Sequence, residues 1–168
     1  MMPGDLLLTH YPSILAESIE AVQYLQGYAD TDEWTHAGVI TSKKGDLIEA
    51  LETVRESNID EYRGVKVMVC RYDPMTPADS ERAYEVLKSR LGEVYPVLAI
   101  AEMAIEPKVR EWLHGHGLVC SELAADAYHA ALPISFFKEF RGKTPAMLAR
   151  WFQMSLECST PFQGVWPW

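Results

Sequence analysis

Cys120 lies where a short apolar run meets an amphipathic helical pattern, a position that suits a cysteine nucleophile. The residues that follow it at helical spacing share one predicted face: Leu123, Ala124, Ala127 and Ala131. A helix N-terminus offers unpaired N–H groups and the positive end of the helix dipole, and both stabilise a thiolate. The simpler interpretation is a small core residue on an apolar face, and only a correctly placed base decides between the two.

A thiol nucleophile needs an imidazole that accepts its proton and a third group that holds the ring in place. Of the five histidines, His36 falls within a predicted strand, next to Ala37 and Gly38, whose small size lets another element approach. Glu49 is a single carboxylate inside an apolar run, where an acid is costly to bury unless something pairs with it. These two residues are the candidate base and its orienting group.

The predicted hairpin brings His36 and Glu49 within reach of each other. If its turn is centred between Lys43 and Lys44, paired residue numbers sum to 87 and Glu49 lies opposite Gly38. His36 and Gly38 point the same way, so His36 and Glu49 become diagonal neighbours with Cβ atoms about 7–8 Å apart. A shift of the turn by one residue sends Glu49 to the other face. The alternative is a Glu49 that faces water on an edge strand and an ordinary surface histidine.

The predicted elements are early strands followed by helices, which indicates an α+β fold instead of alternating strand and helix units. Strands are predicted for residues 4–9, 35–41, 46–54 and 65–70, and residues 55–64 are predicted to be a polar connector. Helices are predicted to begin near residues 12, 76, 93, 107, 120 and 144.

Residues 1–168 are predicted to form a single domain. Its C-terminal tail, residues 154–168, is predicted to be irregular and to dock on the body through its aromatic side chains: Phe162, Trp166 and Trp168.

The composition is typical of a soluble globular protein and disfavours several kinds of partner. Lys and Arg number 15 against 24 Asp and Glu, a net charge of −9, so we expect neither nucleic acid nor an anionic membrane surface as a partner. Three widely spaced cysteines indicate no disulfide framework and favour a reducing compartment. We expect no signal peptide and no integral membrane segment, hence a cytoplasmic protein or one delivered as phage proteins are.

Four short motifs resemble, in their order, those of the circularly permuted NlpC/P60 papain-like proteins. They are residues 4–8 (GDLLL), 35–40 (THAGVI), 47–50 (LIEA) and 119–123 (VCSEL). The resemblance is to the YiiX/YebB-like branch, distantly related to lecithin:retinol acyltransferase. In the ordinary order the cysteine precedes the histidine, whereas here the histidine comes first, as it does in the permuted branch.

The resemblance implies a papain-like α+β fold, in which an antiparallel sheet packs against the helix that carries the nucleophile at its N-terminus. It implies Cys120 as nucleophile, His36 as general base and Glu49 as the residue that orients His36. The backbone N–H of Cys120 would help to form the oxyanion hole. Two further residues are candidates for substrate binding. His10 follows the first strand, and Tyr95 lies where the branch often has Tyr-Asp, although Pro96 replaces the acid here.

The implied function is that of a cysteine hydrolase that cleaves an amide bond through an acyl-enzyme and needs no metal or cofactor. The expected substrate is a peptide or a cell-wall peptide fragment. The first alternative is an acyltransferase or thioesterase acting on a lipid or another acyl substrate. The second is a metal hydrolase that uses the same three residues together with His114 or His116. The third is a non-catalytic binding module on the same fold.

Overall fold

The computed structural model describes residues 1–10, 33–94, 120–134, 137 and 144–167. The strands in these residues are β1 (Leu6–His10), β2 (His36–Ile40), β3 (Asp46–Ala50), β4 (Val54–Asn58), β5 (Lys66–Tyr72) and β6 (Cys158–Val165). The α-helices are α1 (Pro77–Ser89), α2 (Cys120–Ala131) and α3 (Pro145–Met154), and a 3₁₀ helix spans Ile59–Tyr62. The expected α+β class is confirmed. None of the helices in these ranges is long and apolar enough to cross a membrane.

The strands form one antiparallel sheet in the order β4-β3-β2-β1-β5-β6. All three α-helices contribute to the larger core cluster, which lies on one face of the sheet. A smaller cluster covers the other face, where the 3₁₀ helix supplies Ile59 and Tyr62. Because both faces of the central strands are buried, β1 reads as a continuous run of leucines instead of an alternating pattern.

Helix α2 packs against the sheet through small side chains. Its residues Ala124 and Ala127 are buried, and the helix contacts β2 and β3 as well as α1. Alanines on the packed face let the helix backbone approach the strands closely, so the first residue, Cys120, is carried close to the sheet as well. The helix ends at Ala131, shortly before Pro133, as the pattern predicted.

The register of the β2–β3 hairpin is the one predicted from the sequence. Gly38 pairs with Glu49 and Ile40 with Leu47. Gly38 is needed there, because a Cβ at this position would lie 2.8 Å from Cδ1 of Leu47 and 3.3 Å from Cβ of Glu49. Gly45 supports the turn with a positive φ of 88°.

Two predictions for the region after this hairpin are wrong. The strand predicted for 46–54 ends at Ala50, and the chain reverses to form β4 antiparallel to β3. The segment 55–64, predicted to be a polar connector, supplies most of β4 and the 3₁₀ helix. An edge strand needs few apolar side chains, and β4 buries only Val54 among its five residues.

The C-terminal tail is not irregular, because β6 pairs with β5 along the other edge of the sheet. Pro161, which lacks an N–H, is tolerated in an edge strand. Phe162 and Trp166 pack edge to face, with ring centroids 5.2 Å apart, against the smaller core cluster. The predicted helices starting near residues 12 and 107 and most of the one starting near 93 lie outside the described residues, as does Trp168.

Candidate active site

Three elements place the predicted nucleophile, base and orienting residue. Cys120 is the first residue of α2, His36 is the first residue of β2, and Glu49 is the fourth residue of β3. All three are buried, with exposed fractions of 3%, 6% and 0%. Cys120 belongs to the core under the helices, whereas Glu49 lies on the opposite face of the sheet with Tyr62. His36 begins its strand at the end of the sheet, and its ring contacts residues from both faces.

The His36 ring is held between two partners. Its Nε2 donates a hydrogen bond of 2.9 Å to Oε2 of Glu49. This leaves Nδ1 as the ring nitrogen available to the thiol, and His36 makes a side-chain hydrogen bond with Cys120 as well. The order thiol, imidazole, carboxylate is the arrangement in which a base activates a nucleophile and a third group orients the base.

The surroundings favour a charged imidazole. Burial lowers the pKa of His36, but the hydrogen bonds and charges of Cys120 and Glu49 outweigh it and raise the pKa to about 9. For Glu49, burial raises the pKa, while the hydrogen bond and charge of His36, with hydrogen bonds from Tyr62 and Ser57, lower it to about 2. At neutral pH the pair is therefore an imidazolium and a carboxylate, and an imidazolium beside a thiol favours the thiolate.

Three residues that the sequence reasoning missed surround the carboxylate of Glu49. Ser57 donates to Oε1 at 2.7 Å, and Arg55 donates to the same oxygen from Nη2 at 2.9 Å and from Nε at 3.2 Å. Tyr62 donates to Oε2 through a very short hydrogen bond. The tyrosine ring also stacks on His36, with centroids 6.3 Å apart and planes inclined by 23°. The sequence does contain a signal for these donors. If β3 ends at Ala50, the alternation of apolar Val54 with polar Arg55 and Ser57 predicts a further strand whose polar side chains share one face.

The two predicted substrate-binding residues have different outcomes. His10 is half-buried, and its Nδ1 bonds to the backbone oxygen of Glu33 at 2.8 Å, which ties the end of β1 to the segment before β2. Its neighbour Thr9 pairs with His36, so side-chain alternation directs His10 to the helix-covered face. A role for His10 in substrate binding stays a prediction. Tyr95 lies outside the described residues, and so do His114 and His116.

The described residues define an α+β protein with a six-stranded antiparallel sheet and a helix that begins with a buried cysteine beside a histidine–glutamate pair. A solved structure of similar fold is that of the DUF1105 metalloprotein YiiX from Escherichia coli O157:H7. The two chains are 16% identical, the match covers 99% of this chain and 98% of the other, and the TM-score is 0.65. No protein-family model matches the chain, and no curated protein is significantly similar to it.

Proposed function

We propose that this protein is a cysteine hydrolase that cleaves an amide bond, with Cys120 as nucleophile, His36 as general base and acid, and Glu49 as orienting residue. The observation that carries the proposal is the buried imidazole bonded to the thiol of Cys120 and, at 2.9 Å, to the carboxylate of Glu49. A cysteine at a helix start needs no such pair to pack well, whereas a nucleophile does.

A circularly permuted NlpC/P60 papain-like fold is part of the same proposal. Three features support it: histidine precedes cysteine in the chain, the cysteine begins a helix packed on an antiparallel sheet, and the fold is similar to YiiX over nearly the whole of both chains. The sequence motifs at 4–8 and 119–123 point in the same direction.

The proposed reaction has two steps that share one imidazole. The Cys120 thiolate attacks the amide carbon, and the resulting oxyanion is stabilised by backbone N–H groups that include its own at the start of α2. The His36 imidazolium gives its proton to the leaving amine as the C–N bond breaks, which leaves a thioester on Cys120. His36 then takes a proton from water as the water attacks the thioester, the C–S bond breaks to release the acid, and the Cys120 thiolate and His36 imidazolium are restored.

We propose a peptide or a cell-wall peptide fragment as the substrate. The alternative acyltransferase or thioesterase uses the same thioester on Cys120 but starts from an ester or thioester, or passes the acyl group to an acceptor other than water. A panel of acyl donors separates these possibilities: a peptide amide, a lipid ester and an acyl thioester, each followed by intact-mass measurement of the adduct. We expect an acyl adduct on Cys120 from the peptide amide.

Two variants control this experiment. The Cys120→Ala variant is expected to form no adduct, and Cys158→Ala, which removes a half-buried cysteine outside the triad, is expected to behave as wild type. An adduct formed only from the ester or thioester would replace the amidase with the acyltransferase or thioesterase. No adduct on Cys120 from any donor would leave the binding module as the better account.

A metal hydrolase has one observation in its favour, because the similar structure is that of a protein named a metalloprotein. The residues here do not fit a metal ion well. Both oxygens of Glu49 already accept hydrogen bonds, and one of the donors is the cationic Arg55. Within the described ranges, no group of three or more His, Cys, Asp and Glu is arranged to hold a metal. Iodoacetamide should therefore abolish activity and a chelator should not; the reverse result would favour the metal enzyme.

A further inference from the structure

The carboxylate of Glu49 is surrounded more completely than a residue that only holds one histidine requires. Its side chain is fully buried and accepts hydrogen bonds from four other side chains. Three of the four donors come from one short stretch of chain: Arg55, Ser57 and Tyr62. Packing accounts for Ile59 and for the ring of Tyr62 in this stretch, but it does not explain why Arg55, Ser57 and the Tyr62 hydroxyl all donate to one carboxylate.

The donors divide between the two carboxylate oxygens. Oε1 accepts from Ser57 and Arg55, and Oε2 accepts from Tyr62 and His36. With Oε1 fixed from the β4 side, the plane of the carboxylate is set and Oε2 is aimed at the ring. Tyr62 acts on both partners of this bond, because its hydroxyl meets Oε2 while its ring stacks on His36.

We propose that Tyr62, Ser57 and Arg55 are positioning residues that keep Glu49 ionised and aimed at His36, with Tyr62 the principal one. This inference rests on the proposed function, because it assigns the donors a purpose in supporting the His36 imidazolium. None of the three is proposed to touch substrate. Arg55 and Ser57 act through Glu49, and Tyr62 acts through Glu49 and through the His36 ring on which it stacks.

The charged groups around Glu49 make the direction of the effect definite. His36 and Arg55 place positive charge next to the Glu49 carboxylate. The negative charge of the Cys120 thiolate lies on the other side of the His36 ring, and the Glu61 carboxylate lies 2.8 Å from Nη2 of Arg55. Burial and the charge of Glu49 raise the pKa of Tyr62 far above its usual range, so its hydroxyl keeps the proton and donates it. Losing a donor from a buried carboxylate, where little water can replace it, favours the protonated acid.

The experiment compares Tyr62→Phe with Tyr72→Phe. Each change removes one tyrosine hydroxyl that donates to a glutamate, but Tyr72 donates to Glu157 in an exposed hydrogen bond. The first readout is the titration of the Glu49 side chain by carbon NMR with labelled glutamate. We expect Tyr62→Phe to raise the pKa of Glu49 by about one unit and Tyr72→Phe to leave it unchanged.

The second readout is the pH profile of turnover. In Tyr62→Phe the acidic limb is expected to move to higher pH and kcat to fall about tenfold, with KM unchanged, because only the base is affected. Ser57→Ala, which removes a smaller side chain, should shift both readouts in the same direction, and it serves if Tyr62→Phe does not fold. Arg55→Lys keeps the positive charge but loses the bidentate hydrogen bond. Its Glu49 pKa and its pH profile should therefore lie between those of wild type and Arg55→Gln.

The two readouts separate the two proposals. A wild-type protein without activity on any donor, but with a Glu49 pKa that rises in Tyr62→Phe, would contradict the enzyme and keep the positioning role. A Glu49 titration and a pH profile that are the same in wild type, Tyr62→Phe and Ser57→Ala would overturn the positioning role.

Discussion

His36 and Glu49, thirteen residues apart in sequence, are joined by a hydrogen bond of 2.9 Å between Nε2 and Oε2. The bond exists because the hairpin between β2 and β3 has the register that places Glu49 opposite Gly38. Because His36 also forms a hydrogen bond with Cys120, its ring connects Glu49, on the face of the sheet with Tyr62, to Cys120, on the face that α2 covers. The proposed chemistry depends on this link across the end of the sheet.

Replacing the carboxylate with an amide should impair both activity and stability. Glu49→Gln keeps the size of the side chain but removes the charge, and its NH₂ group would face donors that now bond to Glu49. We expect turnover to fall by about 10²-fold or more and the free energy of unfolding by roughly 2–4 kcal/mol. Urea denaturation and steady-state kinetics measure the two effects.

Glu157→Gln is the matched control for that variant. Glu157 is an exposed carboxylate that accepts from Tyr72 on the far side of the sheet. The Glu157→Gln substitution should change neither turnover nor the free energy of unfolding. Equal losses in Glu49→Gln and Glu157→Gln would show that Glu49 has no special role.

The stability of the protein should depend on pH through His36. Its pKa is raised from 6.5 to about 9, so its contribution is fully present below pH 6.5 and is lost as the pH rises through 9. A shift of this size corresponds to at most about 3–4 kcal/mol. The difference in unfolding free energy between wild type and His36→Gln should therefore shrink between about pH 6 and about pH 10. A difference independent of pH in urea denaturation would mean that His36 is not protonated in the folded protein.

Glu49 gives the opposite dependence at the acidic end. Its pKa is lowered from 4.5 to about 2, so its contribution is present above pH 4.5 and is lost as the pH falls through 2. Glu49→Gln should remove this dependence. If the free energy of unfolding changed equally with pH in wild type and Glu49→Gln between pH 4.5 and about 2, Glu49 would not be ionised in the folded protein as proposed.

A methyl group at Gly38 should disturb the hairpin where it carries the site. In Gly38→Ala the new Cβ would meet Leu47 at 2.8 Å and Glu49 at 3.3 Å, and the neighbouring core has little room to yield. We expect a loss of stability of about 1–3 kcal/mol together with reduced turnover. Gly92→Ala is the control, because its Cβ would meet nothing within 4 Å although its φ of 83° is unfavourable for alanine. It should lose some stability and keep its activity, as measured by thermal denaturation and kinetics.

The hairpin register and the helix start could be read from the sequence because local rules determine them. A turn centred between Lys43 and Lys44 predicts the observed pairing of Glu49 with Gly38, whereas a turn shifted by one residue would have sent Glu49 to the other face. Likewise, the apolar spacing after Cys120 and the stop at Pro133 define a helix without reference to its partners.

The donors to Glu49 could not be read in the same way. Arg55 and Ser57 lie in an edge strand, whose polar composition is also that of a loop, and their partner is fixed only once β4 is folded back on β3. The same difficulty affected β6, where Pro161 and Gly164 resemble loop residues but are compatible with an edge strand. Hydrophobic patterns in the sequence predict which segments are buried, but they do not predict which polar segments pair at the edges of the sheet.

The most direct test of the proposed enzyme is the rate at which each cysteine is alkylated by iodoacetamide at neutral pH, followed by peptide mass spectrometry. Burial raises the pKa of both Cys70 and Cys158, so neither should react quickly, whereas His36 should hold Cys120 as a thiolate. We expect Cys120 to react at least about tenfold faster than Cys158 in wild type and to lose this advantage in His36→Ala. Equal rates for Cys120 and Cys158, or a Cys120 rate unaffected by His36→Ala, would contradict the proposed cysteine hydrolase.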